Sequence, residues 1–352
     1  MADDSSFSLK FSMLPGQYNT GDRDHTLPVS VTRVRAGYAW EHHWLDSPMF
    51  EAWVYQAKFV EDFDGAARAY GWDRPDSSFK YAEPNLQKNL QPLESRHGQQ
   101  AGLANAASPY TNLWYGHDFR WVGVYSATEQ FALSNGFEVD YRPPLRDNRG
   151  HYPAIQPLGA PAPGYYVSQC PGIVNKGLPD WDQRKYADAE TFPYIVLPNQ
   201  FMQMGARIGD VGLAVHPLTG RSKAFAFADT GTVGHLGESS SYLYKSVSGG
   251  QGNAGYVTFV IFPGSNWYRL NAEGLDQAGA IDFRVSGSLM LASVQNPDEF
   301  PLLMAYGGDL SRLRHAQQLI KQGKKPPKPA NFDLMVNALK PFDYAPQQRL
   351  FD

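Results

Sequence analysis

Apolar residues in this chain recur in short runs bounded by Gly, Pro, Asn and Asp, which is the pattern of many short strands. Trp53–Val60 (WVYQAKFV) predicts a strand that ends at the acidic turn Glu61-Asp62-Phe63-Asp64-Gly65. Trp121–Tyr125, Phe137–Tyr141 and Gly164–Ser168 predict three more. Thr191–Pro198 is a short apolar strand bracketed by prolines, and Asp210–His216 and Ala224–Ala228 form a pair joined by the turn Pro217–Gly220. Gly255–Pro263 has the strongest strand pattern, and Ser286–Val294 adds another. Residues 1–50 read as polar and turn-rich, with one strand at Pro28–Val34, and Arg142–Pro163 reads as a proline-rich exposed loop. Helical spacing occurs twice, at Leu310–Gln322, which stops at Gly323, and at Ala330–Leu339.

Composition agrees with a folded, β-rich protein. The 352 residues suffice for one large domain or two smaller ones. The 33 Gly and 26 Pro imply many turns and few long helices. Aromatics reach 14%; most must pack a core, and a few suit a cleft where sugar rings lie on aromatic faces. A net charge of -4 argues against nucleic acid as a partner, because phosphate binding needs a basic footprint. No apolar run reaches transmembrane length. The one cysteine, Cys170, cannot form an intrachain disulfide, and a lone cysteine is ordinarily a packing residue. The start of the chain shows neither a basic n-region nor an apolar h-region, so no ordinary signal peptide is expected.

Candidate chemistry concentrates at Lys223–Glu238. An apolar strand runs into Asp229, a glycine-rich turn follows, and Glu238 comes nine residues later. Acid–base cleavage of a glycosidic bond needs two carboxyl groups in different environments held apart across a sugar. Gly231, Gly234 and Gly237 are expected to supply the positive φ values that fold this loop back. Taken alone, the two carboxylates read better as a turn residue and a helix-start residue than as a catalytic pair. Ser239-Ser240-Ser241 supplies a helix cap. Asp62 and Asp64 suit hydrogen bonding within a turn, divalent cation binding, or a carboxylate subsite for an ammonium group; the rest of an EF-hand loop is absent. His42, His43 and His117 lack metal-ligand spacing, and no metal or other cofactor is expected.

Separated blocks in order make the chain resemble the bacterial chitosanases of glycoside hydrolase family 75. They are Asp62-Phe-Asp-Gly-Ala-Ala-Arg-Ala-Tyr70, Leu103–Ala107, Pro161–Ser168, Tyr186–Ala189, Pro193–Pro198, Gly205–Asp210, Asp229 to Glu238, and Phe262–Ser265, over roughly residues 50 to 270. The resemblance implies a mainly β protein: a small closed barrel, six-stranded and of double-psi type, with peripheral loops and C-terminal helices. It divides the chain into an N-terminal extension (1–48), a hydrolase domain (49–297) and a C-terminal helical extension (298–352). It implies Asp229 and Glu238 as the catalytic pair, with inversion at the anomeric carbon. Glu238 is read as general acid and Asp229 as base, with the reverse left open. Asp62, Asp64, Tyr165, Tyr194 and His235 are the candidate substrate-binding residues.

The implied partner is a β-1,4-linked amino-sugar polysaccharide, chitosan or peptidoglycan. Without an ordinary signal peptide, the expectation is a protein cytoplasmic before export and delivered outside the producing cell. An antibacterial effector with a secretion-machinery or immunity partner fits that expectation. A non-catalytic carbohydrate-binding or assembly module on the same fold is the rival of a different class.

Overall fold

The computed structural model describes residues 6–22, 25–40, 43–44, 50–67, 156, 159–162, 167–250, 255–265 and 299–340. The strands expected at Trp121–Tyr125, Phe137–Tyr141 and Ser286–Val294 lie outside them, as does most of the expected loop Arg142–Pro163. The chain divides into two compact units. Unit 1 comprises Met1–Asp62, Thr191–Asn271 and Leu275–Asp352; unit 2 comprises Phe63–Glu190 and Ala272–Gly274.

Unit 1 is mainly β, built on a ten-stranded mixed sheet. Its strands are β1 (Ser6–Met13), β4 (Thr32–Trp40), β5 (His43–Trp44), β6 (Phe50–Lys58), β7 (Val60–Asp62), β8 (Tyr194–Pro198), β9 (Val211–Val215), β10 (Ser222–Gly231), β11 (Glu238–Ser240) and β12 (Tyr256–Phe262). A separate hairpin pairs β2 (Tyr18–Asp22) with β3 (His25–Val29). The sheet order is β1-β4-β6-β12-β9-β10-β8-β11-β7, with β5 beside β4. The pairs β10/β8 and β11/β7 are parallel; the other pairs of the sheet are antiparallel. Among the described residues, no pairing joins β1 to β7. The single residue Phe59 separates β6 from β7.

The N-terminal segment is a correction. Residues expected to be turn-rich form five strands. The reason is visible in β1, SFSLKFSM, whose apolar residues alternate strictly with polar ones, a period-2 signal hidden by the high polar content. Pro28–Val34 is not one strand: β3 ends at Val29 and β4 starts at Thr32. Val167 and Ser168 are not in a strand; Gly164–Tyr166 lie outside the described residues.

The central strands are apolar in consecutive runs because both of their faces are covered. One face carries Trp53, Tyr55, Ala57 and Phe59 from β6 and its end, Ile195 and Leu197 from β8, Phe225 and Phe227 from β10, and Val257, Phe259 and Ile261 from β12. Phe201 packs edge-on to Trp53 and Tyr18, at ring distances of 5.3 and 5.1 Å. Gly212 is required here: a Cβ on it would stand 2.3 Å from the Phe225 ring.

The opposite face carries Val34, Ala52, Val54, Val211, Leu213, Val215, Val260 and Phe262. Three helices cover it, α3 (Glu299–Ala305), α4 (Leu310–Lys321) and α5 (Phe332–Leu339), numbered after α1 (Asn199–Gln203) and α2 (Ser241–Ser248). Helix α4 begins where the sequence predicts. Asp309 caps it by accepting from Ser311 N–H and Arg312 N–H at 2.9 and 3.2 Å. Buried threonines fasten α3 and the turn after it: Thr258 Oγ1 donates to Met304 O at 3.4 Å, and Thr32 Oγ1 to Gly308 O at 2.6 Å.

Unit 2 is described mainly over Phe63–Ala67 and Val167–Glu190, with one short 3-10 helix at Gln183–Lys185. The buried Gln183 amide organises it. Its Nε2 donates to Gly65 O (2.6 Å) and Ser168 O (3.0 Å), and its Oε1 accepts from Ser168 N–H (2.8 Å). Cys170 is buried beside the Ala187 carbonyl, as a packing residue.

Candidate active site

One residue decides where Asp229 lies. Strands β10 and β8 pair in regular parallel register at Ala226↔Tyr194 and Phe227↔Ile195, then shift, so that Asp229 faces Val196. Ala228 is the extra residue of a β-bulge, which re-aims every side chain after it. By simple alternation Asp229 would follow Phe225 and Phe227 into the aromatic core. The bulge turns it to the face of Tyr194 and Val196 instead. Asp229 is thus a buried strand residue rather than a residue of a polar turn. Its Oδ1 accepts from Thr230 N–H at 2.6 Å.

Glu238 reaches the same face from β11. Its neighbour Ser239 pairs with Ile195, so Glu238 and Ser240 point to the Tyr194 side. Gly231 then makes room. A Cβ at Gly231 would stand 2.9 Å from Val196 Cγ1 and 3.2 Å from Glu238 Oε2. The Glu238 carboxyl therefore borders Gly231, two residues along β10 from Asp229, a strand repeat of about 7 Å. Gly231 does not have positive φ, contrary to expectation; it serves close approach, while Gly234 (75°) and Gly237 (110°) take the left-handed conformations.

Strand β7 brings a third carboxylate. The register Glu238↔Val60 and Ser240↔Asp62 puts Asp62 on this face, and the buried Tyr194 hydroxyl donates to Asp62 Oδ2 at 2.9 Å. Ser240, which the sequence does not single out beyond capping, joins two elements. Its Oγ accepts from Tyr194 N–H at 3.0 Å and, as the cap of α2, from Leu243 N–H at 3.2 Å. Asp62, Tyr194, Asp229 and Glu238 thus share one end of one face.

The other expected site residues have other surroundings. His235 turns to the N-terminal hairpin, its Nε2–H donating to Gly21 O at 2.8 Å. Asp64 lies in unit 2, in the turn closed by Ala66 N–H donating to Phe63 O at 3.0 Å. Tyr165 lies outside the described residues. Two of the sequence blocks meet at Asp210, which is buried: its Oδ2 accepts from Arg207 N–H at 2.8 Å and Gly264 N–H at 3.1 Å, a bracing role. Among the described residues, no three His, Cys, Asp or Glu side chains gather as a metal-binding group, and no helix is long and apolar enough to cross a membrane.

Compared with protein-family models and with curated proteins, the sequence has no match. The resemblance to glycoside hydrolase family 75 therefore rests on the ordered sequence blocks.

Proposed function

We propose that this protein is an inverting endo-glycoside hydrolase that cleaves a β-1,4-linked amino-sugar glycan. The observation that carries this reading is the convergence of Asp229 and Glu238 on one sheet face, achieved by a bulge at Ala228 and a missing side chain at Gly231. The Glu238 carboxyl borders Gly231, two residues along β10 from Asp229, and an inverting enzyme keeps its carboxyl groups roughly 6.5–9.5 Å apart so that a water fits between base and sugar.

Glu238 takes the role of general acid. It is half-buried, and its carboxyl shares the Gly231 surface with the Val196 methyl. Asp229 takes the role of base. Its Oδ1 accepts from Thr230 N–H, and as base it acts in its ionised form, the form that activates water. Asp62, held by Tyr194, is the substrate-binding carboxylate for an amino-sugar ammonium or hydroxyl.

The same reading takes β6 and β7 as one strand bent at Phe59. Then β6/β7, β12, β9, β10, β8 and β11 follow one another in the order of a six-stranded barrel filled by the Trp53, Phe227 and Phe259 core. The family resemblance, which implies a six-stranded double-psi barrel, supports this part of the reading.

Mass spectrometry of products from chitosan, chitin and purified sacculi, with Glu238→Gln as control, tests the function. Oligosaccharides from one of these polymers, absent with the variant, are the expected result, and the polymer cleaved identifies the substrate. Binding to insoluble glycan without soluble products would replace this reading with that of a carbohydrate-binding module.

A further inference from the structure

Between the end of β10 and the start of β11 the loop 232–237 belongs to no regular ladder, and what holds it comes largely from the first 22 residues. Asn19 N–H donates to Gly234 O at 2.8 Å, and Leu236 N–H donates back to Asn19 O at 2.9 Å. His235 Nε2–H adds the bond to Gly21 O. Gln200 Oε1, from α1, accepts from Gly234 N–H at 2.8 Å. The hairpin is itself anchored: the buried Thr20 Oγ1 accepts from Lys58 N–H at 2.8 Å, at the end of β6. Tyr18 packs on Phe201, and its hydroxyl donates to Pro15 O at 2.6 Å.

The loop then passes directly into Glu238. Gly237 O accepts from Val60 N–H at 2.9 Å, and a Cβ on Gly237 would stand 2.0 Å from Lys58 O. Leu236 is fully buried in the aromatic core. Lys58 is thus met on one side by the hairpin and on the other by the residue before Glu238.

We propose that β2 is a positioning strut for the site: it holds the 234–237 loop through Asn19 and Gly21 and thereby sets the position of Glu238, with His235 as a positioning residue. This rests on the carboxylate-pair reading above. A loop with glycines at 234 and 237 has many alternative conformations when unsupported. Fixing it removes them before substrate binds. Catalysis by a pair of carboxyl groups is sensitive to such placement, since a displacement near 1 Å can cost about 100-fold in rate.

Two variants of the full chain approach the strut from opposite sides. His235→Ala removes the loop's side-chain tie. Thr20→Val keeps the shape of the hairpin residue and removes its anchor to Lys58. His235→Gln retains an N–H donor and serves as rescue. For each, amide hydrogen exchange at Gly234 and Leu236 is measured alongside kcat and KM on the glycan that the wild type cleaves.

The expected result is exchange faster by about tenfold at Leu236 in both disrupting variants. With it, kcat falls by about 10- to 100-fold while KM stays within about twofold, and His235→Gln recovers most of both losses. Faster exchange with unchanged kcat overturns the proposal. So does a fall in kcat with unchanged exchange, which would make His235 a substrate contact. If the wild type cleaves no glycan, the proposed function fails by itself; unchanged exchange in both variants then still overturns the strut.

Discussion

The two ends of one sheet face do different work. Where β6, β12 and β9 lie, the face is aliphatic and closed by helices, with Val54, Leu213 and Val260 packed against Phe300, Leu303 and Leu313. Where β10, β8, β11 and β7 lie, the same face carries Asp229, Tyr194, Glu238 and Asp62. The change happens within β10: Ala226 still follows the register of Val211, and after the bulge at Ala228 a carboxylate occupies the face. The first end draws its stability from apolar area removed from water, which tolerates no charge. The second spends some of that stability on ionisable groups that need fixed partners. A protein divided this way should lose folding from one end and function from the other.

The sharpest separation comes from the carboxylates. Asp229→Asn and Glu238→Gln are each expected to lower glycan cleavage by about 100- to 10,000-fold while the thermal transition stays near that of the wild type. Near wild-type turnover in either would break the comparison at its functional end. At the other end, Phe300→Ala should cost about 3–5 kcal/mol in urea unfolding, because Phe300 is fully buried and leaves a cavity. Activity per folded molecule should remain unchanged; a large loss of kcat there would show that the two ends are coupled.

Tyr194→Phe probes the border more gently. It removes the donor to Asp62 at a position with no solvent access, and about 1–3 kcal/mol of stability should go with it. KM should rise more than kcat falls, if Asp62 binds substrate. The reverse split would assign Asp62 to the chemical step.

The smallest expected effect concerns Glu299 in α3. Burial raises its carboxyl above the ordinary value, while Gln317, donating to Oε1 at 2.9 Å, and the charge of Lys321 pull it down by less. The folded state therefore binds this proton more tightly than the unfolded state. The resulting stability is present below the unfolded pKa and is lost as pH rises through the folded one. Glu299→Gln should raise Tm at neutral pH by about 1–3 °C and flatten the fall of stability across that acidic range. A lower Tm at neutral pH would show that Gln317 and Lys321 together outweigh the cost of burying the charged form.

Much of the framework is legible in the chain. Strands β9, β10 and β12 stand out as apolar runs because both faces are buried, and α4 is announced by its helical spacing and its stop at Gly323. The alternation of β1 was equally available, although a polar segment disguised it. The bulge was not legible. Nothing in Ala-Phe-Ala-Phe-Ala-Asp marks Ala228 as the extra residue, since the shift is a property of pairing with β8. The partnership of Tyr194 with Asp62, 132 residues apart, was equally hidden.

The sequence by itself determined the strand-rich character, the C-terminal helices, and two carboxylates nine residues apart on a glycine-rich connection. These follow from local periodicity, turn chemistry and spacing, which neighbours along the chain decide. Only the tertiary structure decided which face Asp229 takes, that Gly231 is small to admit Glu238, and that the N-terminal hairpin holds the loop between them. Those depend on register and close approach between distant segments. A one-residue shift in pairing reverses the direction of a side chain without changing a single residue of the sequence.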